Sequence, residues 1–166
     1  MIHFVRQEFQ LAFRREHKDS ASVTEIFRDI YHLLGKETYM KMFPVLLADN
    51  GTEFSNPKAL EFNEDGDQIS HMFYCDPSAP NQKGSCEVNH EFIRRVIPKG
   101  KVITPYSQEQ ILLMMSHINS YSRPELGDKT PYDMLEFYFG TGTADRFGIK
   151  KIQPNNIVLK PDLLKN

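Results

Sequence analysis

Apolar positions recur along this chain with two periods. Ile2-His3-Phe4-Val5 and Phe9-Gln10-Leu11-Ala12-Phe13 are short apolar and aromatic runs separated by Arg6-Gln7-Glu8, which predicts a hairpin of two strands. The period then lengthens. Val23, Ile26, Phe27, Ile30, Leu33 and Leu34 fall at helical spacing, Asp19 or Ser20 can cap the start, and Gly35 suits the stop. Val45-Leu46-Leu47-Ala48 is wholly apolar and predicts a short strand buried on both faces. The polar, Gly/Asp-rich stretch from Ser55 to Ser70 predicts a loop or partly ordered insertion, and His71 to Asp76 a further strand.

Helical spacing returns near Lys83. Val88, Phe92 and Val96, flanked by Cys86, Ile93 and Arg95, form a stripe that Pro98 and Gly100 end. A second helix opens at Ser107, with Gln110 at the capping-box position. A third opens at Thr130 as cap, with Pro131 at its first position and Asp133 at its third. From Thr141 to Asn166 the pattern is irregular. The order strand, strand, helix, strand, strand, helix, helix predicts an α/β protein with a mixed sheet and helices packed on it.

At 166 residues, 40% apolar and 25% charged, the chain suits one domain with a real core. No apolar run approaches the roughly 20 residues that span a bilayer, so no membrane partner is expected. Arg6 and Glu8 interrupt the start before a signal-peptide core forms, which points to the cytoplasm. Cys75 and Cys86 have no zinc-site spacing and read as reduced thiols. The net charge of −2 gives no sign of a nucleic-acid partner. Locally, Lys83, Arg94, Arg95, Lys99 and Lys101 stand against only Glu87 and Glu91. Such a run is most often a solvated helix face, and it equally suits a phosphate backbone.

Asp49 directly follows the apolar strand. A carboxylate at a strand end often faces a ligand crevice, while Asp49-Asn50-Gly51 is also a strong turn sequence. Glu87 lies on the basic helix behind the small residues Gly84, Ser85 and Cys86, which would let that helix approach a sheet. Two facing carboxylates repel unless a cation neutralises them or one is protonated. Oxygen ligands with open positions suit Mg²⁺ or Mn²⁺. The plainer alternative pairs Glu87 with Arg94 or Lys83 on the helix surface. His71, His90 and His117 share no metal-binding spacing and read as surface or core histidines. Cys86 and His90, four apart, are discounted as a nucleophile–base pair because such spacing is abundant and no oxyanion donors accompany it. Met114 and Met115 read as core.

Three strings, LLADNGTEFSNP, FYCDPSAPNQKGSCEVNHEFIRRVIPKG and HINSYSRPELGDKTPYDML, together resemble DDE transposases of the insertion-sequence-thirty family, within the retroviral-integrase superfamily. The resemblance is strong from about Val45 to Leu135 and weaker on either side. It implies a ribonuclease-H-like fold and an Asp-Asp-Glu triad holding two divalent ions, with Asp49 as the second Asp and Glu87 as the Glu. Paired ions of that kind activate the attacking oxygen and stabilise the leaving one at phosphorus. By the same resemblance the partner is DNA, both transposon ends and target, and Lys83, Arg94, Arg95 and Lys99 are candidate phosphate contacts.

The chain departs from the family in lacking the first triad Asp. None of the acidic residues before Asp49 has the setting of a central-strand ligand. The chain therefore reads as truncated at its N-terminus: residues 1–122 as a partial integrase-type catalytic core, 123–166 as a C-terminal helix and tail. Asn81 and Asp128 stand where aromatic or basic residues are common in the family. Three functions are weighed, and the three family strings count against the last. One is DNA cleavage and strand transfer, inactive in this chain alone. Another is a non-catalytic remnant that binds DNA or associates with a transposase. The third is an unrelated binding module. An unpaired sheet edge would add a tendency to self-association.

Overall fold

The computed structural model describes residues 1–76, 84–101 and 105–165, and of residues 84–89 only the helical backbone. Its backbone contacts divide into two units, 1–14 with 83–166, and 15–82.

In the first unit the expected hairpin is present. Strands β1 (Ile2–Phe4) and β2 (Phe9–Leu11) pair antiparallel, with Ile2 opposite Leu11 and Phe4 opposite Phe9. Glu8 closes the turn in the left-handed region at φ 53°. Phe9 and Leu11 are buried. The hairpin packs on two helices, α5 (Gln108–Ser120) and α6 (Pro131–Phe139). Phe4 lies edge-on to Phe9 at 6.0 Å and 6.4 Å from Phe139. Asn119, fully buried on α5, accepts from the Gln10 backbone N–H at 2.9 Å and donates to the Gln10 carbonyl at 2.8 Å. An amide side chain thus bonds both backbone polar groups of one buried strand residue.

The caps predicted for these two helices form. The Ser107 hydroxyl accepts from Gln110 N–H while the Gln110 side chain accepts from Ser107 N–H. Thr130 accepts from Asp133 N–H. Met114 and Met115 are core, as expected. His117 is also buried, and its Nδ1 accepts from Val158 N–H at 3.1 Å. The helix read around Val88 and Phe92 is α4 (Gly84–Val96). The tail is more ordered than its pattern predicts. A short helix, α7 (Thr143–Arg146), and two single turns bring Ala144, Phe147, Ile149 and Leu164 into the interior. These segments are too short to show a period.

The second unit begins with α1 (Ser20–Leu34), capped by Asp19 and stopped at Gly35 as expected. Val23, Ile30 and Leu34 face inward, whereas Leu33 is exposed. A helix the pattern did not reveal, α2 (Lys36–Met42), follows at once. Tyr39 packs against Tyr31 at 5.4 Å and Phe43 at 5.0 Å. Strands β3 (Val45–Ala48) and β4 (His71–Tyr74) pair in parallel, Val45 opposite His71 and Ala48 opposite Tyr74. Between them the expected loop contains a turn of helix, α3 (Lys58–Glu61).

Two expectations are corrected. The mixed α/β class holds, but the described strands form two separate two-stranded sheets rather than one mixed sheet. Nor is β3 buried on both faces: Val45 and Leu47 are exposed, with Phe73 beside them on β4. An all-apolar strand signals burial only if other layers cover both faces, and here one face has no cover among the described residues. The other edge of β4 is closed locally, because Glu61 Oε1 accepts from Met72 N–H at 2.9 Å.

Candidate functional site

Strand β3 delivers its chain to Asp49, which is exposed at the strand's C-terminal end. Asp49 Oδ1 accepts from Gly51 N–H at 3.2 Å, the local turn bond its sequence favours. Asn50 reaches across to the end of β4 and donates to the Cys75 carbonyl at 3.1 Å. The turn is therefore pinned to both strands, and Asp49 is aimed by it. Turn-maker and functional carboxylate are compatible roles for this one residue.

Sequence reasoning missed Glu53. It lies in the single helical turn Thr52–Phe54 that follows and packs against α1. Its side chain is largely buried, and one oxygen lies 3.9 Å from an Arg15 nitrogen and 3.7 Å from Lys18 Nζ. The other oxygen is buried without a hydrogen-bond partner. A Cβ placed on Gly51 would stand 2.5 Å from that oxygen and 3.0 Å from Asp49 Oδ1. Two carboxylates therefore crowd the position that a Cβ at residue 51 would take. The signal was present in the string Asp49-Asn50-Gly51-Thr52-Glu53, but only the helical turn folds Glu53 back toward Asp49.

This arrangement makes a prediction. Gly51→Ala should destabilise the chain by about 1 kcal/mol, the low end for overpacking, by displacing Glu53 from Arg15 and Lys18. Thermal melting checks it. The loss should largely vanish in a Glu53→Ala background; an equal loss in both backgrounds would rule out the clash.

The remaining candidates are placed as follows. Glu87 belongs to α4, in the first unit, and its side chain lies outside the described residues, as does Lys83. Asp49 belongs to the second unit. Arg94 is exposed and bonds Glu91 Oε1 at 2.5 Å. Arg95 is exposed and sits 4.8 Å from the Phe92 ring centre. Lys99 and Lys101 are exposed beyond the helix end. The C-terminal end of α4 is thus a solvent-facing group of cations. Among the described residues no group of three or more His, Cys, Asp or Glu could hold a metal ion. No helix among them is long and apolar enough to cross a membrane.

Beneath the cations lies Arg123, a residue the sequence did not single out. It is buried, and its guanidinium lies 3.6 Å from the Phe92 ring centre. It donates to the Ile118 carbonyl at 3.2 Å and the Tyr121 carbonyl at 3.1 Å, closing the end of α5. Burial draws its pKa down to about 10, so it stays charged at neutral pH. Arg123 therefore clamps α4 to α5. Asp128, one of the departures noted above, takes φ 60°, a left-handed position that Asp tolerates, and its N–H donates to the Arg123 carbonyl.

Fold and site define a mixed α/β protein with a carboxylate at the end of a parallel strand and a basic helix end. Along the sequence the chain is similar to transposase InsI of insertion sequence element IS30C from Escherichia coli strain K12. The two are 29% identical over 132 residues, 79% of this chain and 32% of the relative. The transposase of insertion sequence element IS1086 from Cupriavidus metallidurans is 33% identical over 64 residues, 39% of this chain and 19% of the relative. A putative integrase, ORF3, of Spiroplasma virus SpV1-R8A2 B is 28% identical over 116 residues, 68% of this chain and 33% of the relative. The chain spans about a third of the length of the first of these. No family model matches it, and no solved structure does.

Proposed function

We propose that this chain is part of the catalytic core of a DDE transposase of the insertion-sequence-thirty type, acting in metal-dependent DNA cleavage and strand transfer. The observation that carries the reading is the strand-end placement of Asp49, within a chain similar over most of its length to a transposase. On this reading the fold is ribonuclease-H-like and DNA, both transposon ends and target, is the partner. Asp49 and Glu87 are two of three triad carboxylates. No described residue is assigned as the third.

Mg²⁺ or Mn²⁺ fits the residues at the end of β3. The donors are carboxylate oxygens, Asp49 and Glu53 converge beside Gly51, and one buried Glu53 oxygen has no hydrogen-bond partner. When bound, the metal ions supply activation of the attacking oxygen and charge stabilisation at the leaving one. Asp49 contributes a ligand whose direction is set by its Gly51 hydrogen bond, in a turn that Asn50 pins to the Cys75 carbonyl. Glu53, anchored toward Arg15 and Lys18, adds negative charge behind it. Arg94, Arg95 and Lys99, with Lys83, neutralise DNA phosphates. The exposed Val45, Leu47 and Phe73 support self-association as part of the same proposal.

A second reading, a non-catalytic remnant that only binds DNA or associates with a transposase, draws on the exposed Arg94, Arg95 and Lys99, which need no metal to meet a phosphate. One experiment separates the two. The chain is compared with a version extended upstream from its own gene, using Mg²⁺ and terminal-repeat DNA. The expected result is no nicking by the chain alone, nicking by the extended protein, and its loss on Asp49→Ala. An extended protein that binds this DNA without nicking it would favour the remnant. Nicking that survives Asp49→Ala would remove Asp49 from the site.

A further inference from the structure

Within the second unit, α1 and the segment around α3 enclose a half-open cavity of about 350 Å³. Four aromatic rings line it: Phe27 and Tyr31 from α1, Tyr39 from α2, and Phe62 just after α3. Two cations, Arg28 and Lys58, stand among the lining residues and are exposed. The cavity also has a polar group to offer. Tyr31 Oη accepts from Asn63 Nδ2 at 3.1 Å, which leaves its own O–H to donate.

We propose that this cavity receives an unpaired nucleobase of single-stranded DNA, with the adjoining phosphate on Lys58 and Arg28. The inference rests on the proposed DNA function for the class of ligand, and on this cavity for the site. Its volume lies near the lower end of the roughly 300–1,000 Å³ of ligand pockets, which suits one planar ring and excludes a duplex. Aromatic walls bind any base through its π-face, and a nearby cation fixes the backbone, the pattern of single-strand sites. The lining carries two cations, Arg28 and Lys58, against one carboxylate, Glu64. Lys58 makes no ion pair among the described residues. Arg28 pairs with Glu64 at 3.4 Å, but both side chains are more than half exposed, and so weak a pair gives way to a phosphate. Phe62 is 40% exposed, an apolar ring left at the mouth where a base would stack on it.

The test measures binding of the intact chain to fluorescently labelled oligothymidylate and to a duplex, by anisotropy. Phe62→Ala and Lys58→Gln, and Ala59→Phe, which fills the cavity, should each weaken oligothymidylate binding about tenfold. Duplex binding should not change. Phe62 and Lys58 are exposed, so those two variants decide the matter even if Ala59→Phe disturbs the fold. Replacing Arg94, Arg95 and Lys99 together with Ala should weaken both DNAs. If the cavity variants leave oligothymidylate binding unchanged while the triple variant weakens both, the cavity assignment fails and the DNA reading stands. If the unaltered chain binds neither DNA, both fail. A cavity that takes up an aromatic peptide, blocked by Ala59→Phe with oligothymidylate binding unmoved, would be a protein-docking site and would equally overturn the proposal.

Discussion

Asn119→Ala is expected to destabilise the unit formed by residues 1–14 and 83–166 more than any other single polar truncation, by about 3–5 kcal/mol. The reason is the company Asn119 keeps. Its amide is the partner of both Gln10 backbone groups, and both residues are fully buried. Alanine removes one hydrogen bond from a buried N–H and one from a buried C=O, each loss costing about 1–3 kcal/mol. It also detaches the hairpin from α5. A whole domain is commonly stable by only about 5–15 kcal/mol, so a large part of the margin goes. Urea denaturation followed by circular dichroism measures it. A midpoint shift equivalent to less than about 1 kcal/mol would mean that water reaches Gln10 and that the burial is not maintained in solution. Asn119→Asp should also be strongly destabilising, since it removes the donor and brings a charge into the interior.

Arg123→Ala should cost about 3 kcal/mol, through two lost charge-assisted bonds and the stack on Phe92. Arg123→Lys should recover little, because an ammonium cannot lie flat on the ring or reach two carbonyls in one plane. The substitution also carries an electrical signature. His3 has its pKa held below the ordinary value, first by burial and also by the charges of His90 and Arg123, against an opposing pull from Glu8. Removing Arg123 should therefore move the His3 pKa upward, which a proton NMR titration detects. The sign for stability follows from the same direction. In the unaltered chain the folded state prefers neutral His3, so that contribution is present above the unfolded pKa near 6.5 and is lost as pH falls through the folded pKa. In Arg123→Ala this acid loss should shrink. A titration unchanged by the substitution would place Arg123 outside the electrostatic reach of His3. On the proposed function Arg123 is a positioning residue for α4, the helix that bears Glu87, and it touches no reacting atom.

Much of the local architecture was legible in the residues. Asp19, Ser107 and Thr130 cap their helices because a cap needs only a side-chain oxygen within three residues of an N–H. The Arg6-Gln7-Glu8 turn and the Gly35 stop are equally local. So is Asp49 at the end of β3, since strand and turn adjoin in sequence. Short elements were missed where no period has room to develop, as in α2, α3 and α7.

The sequence by itself therefore determined the α/β class, the capped helices, the hairpin and the strand-end carboxylate. Tertiary structure decided the rest. Asn119 and Gln10 are 109 positions apart, and nothing in either neighbourhood marks them as partners. Glu53 turns back toward Asp49 only through the packing of its helical turn on α1. Val45 and Leu47 look like interior residues until the covering layer is found absent among the described residues. Nothing along the sequence marks Arg123, whose buried guanidinium lies over the Phe92 ring. Capping bonds and periodicity depend on neighbours along the chain, which the sequence lists in order. Burial, sheet order and orphaned charge depend on neighbours across it, which only folding supplies.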